Sequence, residues 1–182
     1  MKTKLDTYNN SHYRPGNSTK RILWYFVNII FIKNYFNPFS ITKIIILKIF
    51  GAKIGRNVII KPGVNIKYPW KLIIGDNVWI GEKVWIDNLG LITINDNVCI
   101  SQEAMLICGN HNYKKSSFDL IVKDIVVKEG AWIGAKAIVC AGVVCDSHSV
   151  LTIGSVATNN LEEYTIYSGN PASEVKKRII ES

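Results

Sequence analysis

Aliphatic residues recur at every sixth position from Ile54 to Ala157. The ladder reads Ile54, Ile60, Ile66; Ile74, Ile80, Ile86; Ile94, Ile100, Leu106; Val127, Ile133, Val139; and Cys145, Leu151, Ala157. The residue after a rung is often glycine, as at Gly55, Gly75, Gly81 and Gly134, and the residue four positions on is small or β-branched. A unit this short is one strand and one corner, and it cannot bury its own apolar side chain. It becomes stable only by stacking on copies of itself, so the pattern predicts a solenoid. The phase breaks after Ile66, Ile86 and Leu106, every third rung, which predicts five triangular coils over residues 53–162. All the breaks leave from one corner of the prism. The longest predicts an excursion loop over residues 110–126, and it carries His111.

The flanking segments follow other rules. Residues 1–52 read as an arm and a helical cap. Ser18 is placed to cap a helix with an apolar face of Ile22, Tyr25, Phe26, Ile29 and Ile30. Ser40 is placed to cap a second helix from Ile41 to Phe50, with Gly51 just past its end. Both are more apolar than a free surface helix, and a solenoid needs its open end covered, so they are expected to pack on the first coil. A compatible alternative dips Trp24, Tyr25, Phe26 and Phe31 into a lipid interface. Residues 163–182 are expected to form a turn and a short basic tail.

Charge sharpens the picture of the arm. The formal net charge is +8, yet residues 53–170 hold eleven basic and eleven acidic residues, whereas residues 1–52 hold eight basic and one acidic. A basic arm suits an anionic membrane face or phosphate groups. No aromatic platform or helix-turn-helix accompanies it, which argues against nucleic acid. No signal-peptide pattern and no run long enough to span a bilayer is seen, so the expected location is cytoplasmic, with peripheral contact at the inner membrane face. The four cysteines form no C-x-x-C pair and Cys145 occupies a rung, the pattern of buried thiols in a reducing compartment.

His111 carries the candidate chemistry, because an imidazole suits general-base work near neutral pH. Asp87 and Asn88 leave the same corner one coil earlier, where they could orient His111, bind an acceptor or simply form the turn. Trp79 and Trp85 fall at outward positions, as a ligand wall or a subunit contact would require. A zinc centre would need three histidines converging on the metal, a spacing that His111 and His148 do not offer, so no metal is expected.

Several longer motifs sit around these residues: Lys20-Arg21-Ile22-Leu23-Trp24, Phe50-Gly51-Ala52-Lys53-Ile54-Gly55, Tyr68-Pro69-Trp70, Trp79-Ile80-Gly81-Glu82, Val98-Cys99-Ile100-Ser101-Gln102, Asn110-His111-Asn112-Tyr113 and Gly169-Asn170-Pro171-Ala172. With the repeat and the excursion, they make the chain resemble the hexapeptide-repeat acyltransferases. The similar branch is that of colanic-acid or exopolysaccharide O-acetyltransferases, related to galactoside and maltose acetyltransferases. The resemblance implies an all-β, left-handed parallel β-helix; the periodicity gives the prism but not its hand. It also implies a homotrimer with an active site in each cleft between subunits.

The resemblance further implies acetyl-CoA as acyl donor and a sugar hydroxyl of a surface polysaccharide, or of a lipid-linked glycan, as acceptor. His111 would then be the general base for direct attack, with Asp87, Asn88 and Trp85 on the acceptor side. Trp132 matches the family tryptophan beside the donor cleft, and Gly134, Ala135 and Gly142 are small where the pantetheine arm would run. Thr158 lies near the adenine end, where Asn159 replaces a usual basic residue. Lys176, Lys177 and Arg178 would supply charge for the CoA phosphates, or form a solvated tail. Two rivals share the fold: an amino-sugar N-acetyltransferase and a non-catalytic scaffold.

Overall fold

The computed structural model describes residues 2–181. The ladder forms three parallel sheets, one for each side of a triangular prism. The first side stacks Lys53–Ile54, Leu72–Ile74, Ile92–Ile94, Ile125–Val127 and Val144–Cys145. The second stacks Ile59–Ile60, Trp79–Ile80, Cys99–Ile100, Trp132–Ile133 and Val150–Leu151. The third stacks Asn65–Ile66, Trp85–Asp87, Met105–Ile107, Ile138–Val139 and Val156–Ala157. Register follows the rungs: Ile54 lies opposite Ile74, Ile74 opposite Ile94, Ile94 opposite Val127, and Val127 opposite Cys145. Every rung is buried, so strands too short to persist alone share one continuous core.

Stacking also explains the glycines after the rungs. A Cβ added to Gly81 would lie 2.6 Å from the Gln102 amide nitrogen, and one added to Gly134 would lie 2.6 Å from that of Ile153. Each corner sits so close to the next coil's backbone that only hydrogen fits. The polar corners stack too. Asn57, Asn77 and Asn97, all at positive φ, form an amide ladder with contacts of 3.0 and 3.3 Å.

The open end is covered by two helices, α1 (Ser18–Val27), which continues as one π-helical turn, Asn28–Ile32, and α2 (Ser40–Ile49). Their polar groups satisfy the unpaired edge of the first coil. The Trp24 indole donates to the Ile66 carbonyl at 2.9 Å, and the Asn28 amide donates to Asn65 Oδ1 at 2.8 Å. Ser40 Oγ accepts from the Ile60 amide at 3.0 Å, and Lys43 Nζ donates to the Ile60 carbonyl at 3.0 Å. Packing on the first coil is as expected, but the contact face of α1 is not. Trp24, Asn28 and Ile32 are buried, whereas Ile22, Tyr25, Phe26, Ile29 and Ile30 are exposed. The edge groups of the first coil select the stripe that can hydrogen-bond to them. The caps shift for the same reason. Asn17, not Ser18, accepts from Lys20 N, and Ser40 turns to Ile60.

Lys43 is fully buried under α2. Burial pushes its pKa down, and the nearby Lys61 charge adds to the push. A lowered folded-state value means the protonated lysine costs stability at neutral pH, a cost that fades as pH rises through that value. Lys43→Met should therefore raise stability at pH 7 by about 1 kcal/mol, with a smaller gain near pH 10. Ser40 Oγ, 3.3 Å from the Ile60 oxygen, keeps that acceptor satisfied. Urea unfolding at the two pH values checks this; a loss of stability at pH 7 would contradict it.

The other end departs from the expected turn and tail. Leu161 bridges Cys145, and Thr165–Gly169 pairs in parallel with the second side, so a partial sixth coil follows the five complete ones. Ala172–Lys177 then folds back antiparallel as a hairpin.

Candidate active site

The third side feeds a hairpin after its third strand. Gly109–His111 pairs antiparallel with Leu120–Val122, with His111 opposite Leu120. The hairpin leaves from the corner between the third and first sides and sets His111 half-buried outside the prism. His111 Nδ1 lies 3.0 Å from the Phe118 carbonyl oxygen. A carbonyl can only accept, so this contact assigns the proton to Nδ1 and leaves the Nε2 lone pair free. The two rings stack 4.5 Å apart and 8° from parallel. Phe118 sits at φ 52°, an uncommon conformation for a bulky residue, and this turns its own carbonyl back to the imidazole it covers. The orienting group is thus a backbone carbonyl, where the sequence reading offered Asp87 and Asn88.

The N-terminal arm, which the sequence reading left unplaced, packs along this hairpin. Lys4 N donates to Ser116 O at 2.8 Å, and Tyr8 places its ring 5.9 Å from that of His111. His12 Nε2 lies 3.2 Å from Leu120 O. Tyr13 Oη and Lys71 Nζ both donate to the Leu89 carbonyl, at 2.9 and 2.5 Å. Burial pushes the Tyr13 hydroxyl above its ordinary pKa and the Lys71 ammonium below its own. Together they fix the corner beneath the hairpin.

Asp87 lies one coil below His111, nearly buried, with Lys67 Nζ 2.9 Å from Oδ1. Its Oδ2 approaches Gly109 at the foot of the hairpin, 3.9 Å from where a Cβ there would stand. Asp87 and Trp85 also line a cleft of about 630 Å³ between the third side and α1, with Arg21, Lys33, Asn65 and Tyr68. Asn88 behaves differently. It is fully buried, accepts from Tyr68 N at 2.9 Å, and donates to the carbonyls of Tyr68 and Lys71 at 2.6 and 3.0 Å. Both amide hydrogens serve the corner, which makes Asn88 a brace.

The donor-side candidates divide between two places. Gly142 and Thr158 follow third-side strands and stack above the excursion; a Cβ on Gly142 would lie 2.7 Å from Lys123 Cδ on its return. Trp132, Gly134 and Ala135 lie on the second side and at its following corner, away from His111. The exposed Trp132 indole donates to Ser101 Oγ at 2.9 Å. Gly134 is small because the next coil passes against it, a reason independent of any ligand. The basic tail is largely spent. Lys177 Nζ donates to Thr165 Oγ1 at 2.7 Å, and Arg178 Nη1 donates to the Gly130 and His148 carbonyls at 3.0 Å each. Lys176 stays exposed on the hairpin.

A covalent route through cysteine gains no support. Burial raises the pKa of all four thiols, to about 12 at Cys108 and Cys145, so none is poised as a thiolate. Among the described residues, no group of three His, Cys, Asp or Glu side chains could hold a metal ion.

No family model matches the chain. Solved structures do match its fold. A hexapeptide-repeat-containing acetyltransferase from Vibrio cholerae, complexed with acetyl coenzyme A, superposes with a TM-score of 0.79 at 19% identity, covering 89% of this chain and 88% of that one. A galactoside acetyltransferase in complex with coenzyme A gives 0.77 at 22% identity, over 87% and 80%. The fold is therefore the left-handed parallel β-helix of the hexapeptide-repeat acetyltransferases. Sequence goes further: the chain is 34% identical over 167 residues, 92% of each protein, to the putative colanic acid biosynthesis acetyltransferase WcaF of Escherichia coli. The chain belongs to the WcaF family of acetyltransferases.

Proposed function

We propose that the enzyme transfers the acetyl group of acetyl-CoA to a sugar hydroxyl during assembly of a surface polysaccharide. The observation that carries this is the His111 imidazole with Nδ1 committed to the Phe118 carbonyl and Nε2 free. Nε2 takes the proton of the acceptor hydroxyl as its oxygen attacks the thioester carbonyl. Collapse of the tetrahedral intermediate breaks the C–S bond, and the departing thiolate recovers the proton. Asp87 and Trp85 bind the sugar in the cleft beside α1. Acetyl-CoA lies along Trp132, Gly134 and Ala135, past Gly142 and Thr158, with Lys176 toward its phosphates. The acceptor is a glycan carried on a lipid, and the enzyme works at the cytoplasmic face of the membrane.

The working form is a homotrimer. Support comes from the separation within one chain: His111 stands at one corner and Trp132 on another side, and a cleft between neighbours rejoins them. Mixing subunits tests this. His111→Ala and Trp132→Ala homotrimers should each be impaired, and randomly exchanged trimers should regain about a quarter of wild-type activity, because one cleft in four combines two intact contributors. No recovery after verified exchange would place the whole site in one chain. The chemistry is tested by incubating acetyl-CoA with candidate glycans and following thiol release. An alkali-labile product marks the expected ester, and an alkali-stable one would show an amide instead.

A further inference from the structure

We propose that the outward face of the helical cap is a docking surface for an anionic lipid bilayer. The proposal deepens the reading of a lipid-carried acceptor and rests on it for what the docked enzyme acetylates. The first observation is apolar surface with no partner among the described residues. Opposite the buried stripe, Leu23 and Phe26 of α1 and Ile30 of its π-helical turn are each more than half exposed. On α2, Ile41, Ile45 and Ile49 form a stripe at helical spacing, 61%, 51% and 75% exposed. Phe36, between the helices, is 95% exposed. Both helices lie against the open end of the prism, so these residues crown that end. Isolated apolar residues on a surface are ordinary; a contiguous face of this kind marks an interaction site.

Charge selects the occupant. No Asp or Glu occurs between residues 7 and 75, a stretch with eleven Lys and Arg. Lys33 and Lys48 are exposed beside the apolar face and make no salt bridge among the described residues. Apolar residues rimmed by cations fit the headgroup boundary of an anionic bilayer. A second copy of the chain fits less well, because its solenoid has no net charge to offer. The helices would lie in the interface without crossing. Each has ten residues, about 15 Å of helix, against a hydrocarbon core of about 30 Å, and among the described residues no helix is long and apolar enough to cross a membrane. The cleft holding Trp85 and Asp87 opens beside α1, with Ile22, Tyr25 and Phe26 in its wall. A docked enzyme therefore opens its acceptor side next to the lipid.

Flotation of the intact protein with phosphatidylcholine vesicles, with and without phosphatidylglycerol, tests the proposal. The protein should float with the anionic vesicles and less so in high salt. A Leu23→Ser, Ile30→Ser, Ile45→Ser variant should bind at least about tenfold more weakly, with an unchanged oligomeric state and unchanged acetyl transfer to a water-soluble acceptor. Lys33→Glu with Lys48→Glu should lose the preference for phosphatidylglycerol. Absence of flotation at low salt, or equal binding by the triple variant, would overturn the proposal. So would dissociation of the assembly by the triple variant, since the face would then lie between copies. Flotation and oligomeric state do not depend on transfer to a glycan, so docking and the acceptor assignment can fail separately.

Discussion

His111→Ala should lower kcat by about 100- to 10,000-fold while leaving the affinity for acetyl-CoA near that of the wild type. The imidazole has one function in the account, to move a proton between the acceptor hydroxyl and the departing thiolate. The proposed donor contacts lie on other elements, so the loss belongs to kcat and not to donor binding. Because the alanine leaves a space above Phe118, added imidazole should restore part of the rate. His111→Gln keeps bulk and hydrogen bonding but no useful base, and it should stay nearly as slow. Wild-type kcat in either variant, with folding verified, would remove His111 from the mechanism.

Asn88→Ala should destabilise the fold by about 3 kcal/mol with little change in KM for either substrate. Its three hydrogen bonds hold the Tyr68–Lys71 corner, and alanine leaves the Tyr68 amide and two carbonyls without those partners. The cost is that of the Tyr68 amide and the Lys71 carbonyl losing their partner, since the Tyr68 carbonyl keeps the Lys71 amide at 2.9 Å. Denaturant unfolding measures it. A stable variant with a raised acceptor KM would instead put Asn88 among the acceptor ligands. Asp87 provides the contrast: Asp87→Asn should act mainly on acceptor KM, because its carboxylate lines the cleft.

The solenoid was legible because every rung obeys one constraint, an apolar residue filling the prism, and the period needs no context. Ile54 through Ala157 all fall where the ladder placed them. The cap was legible as helices but not in its orientation. The apolar face of α1 pointed to Ile22, Tyr25, Phe26, Ile29 and Ile30, but the choice rested on where Trp24 and Asn28 could reach Ile66 and Asn65. Burying Asn28 while exposing Phe26 inverts what residue type alone suggests. The closing hairpin was missed because Lys176, Lys177 and Arg178 read as a solvated tail, whereas two of those charges pin it to Thr165, Gly130 and His148.

The candidate site was legible through His111 and only partly beyond it. The partner of its Nδ1 is a main-chain oxygen, which every residue carries, so no side-chain pattern could single out Phe118. The approach of Tyr8 depends on an arm more than a hundred residues distant in sequence, with no repeat to set its register. Gly134 shows the reverse hazard. A small residue that suits a passing ligand was already required by the neighbouring coil.

Calorimetric titration of acetyl-CoA into the purified protein, beside the His111→Ala variant, tests the central claim most directly. The account predicts binding on the order of micromolar for wild type and similar binding for the variant, with acetyl transfer lost only in the variant. No binding by well-folded wild-type protein would contradict a donor site built on this β-helix, and the roles given to Trp132 and His111 would fall with it.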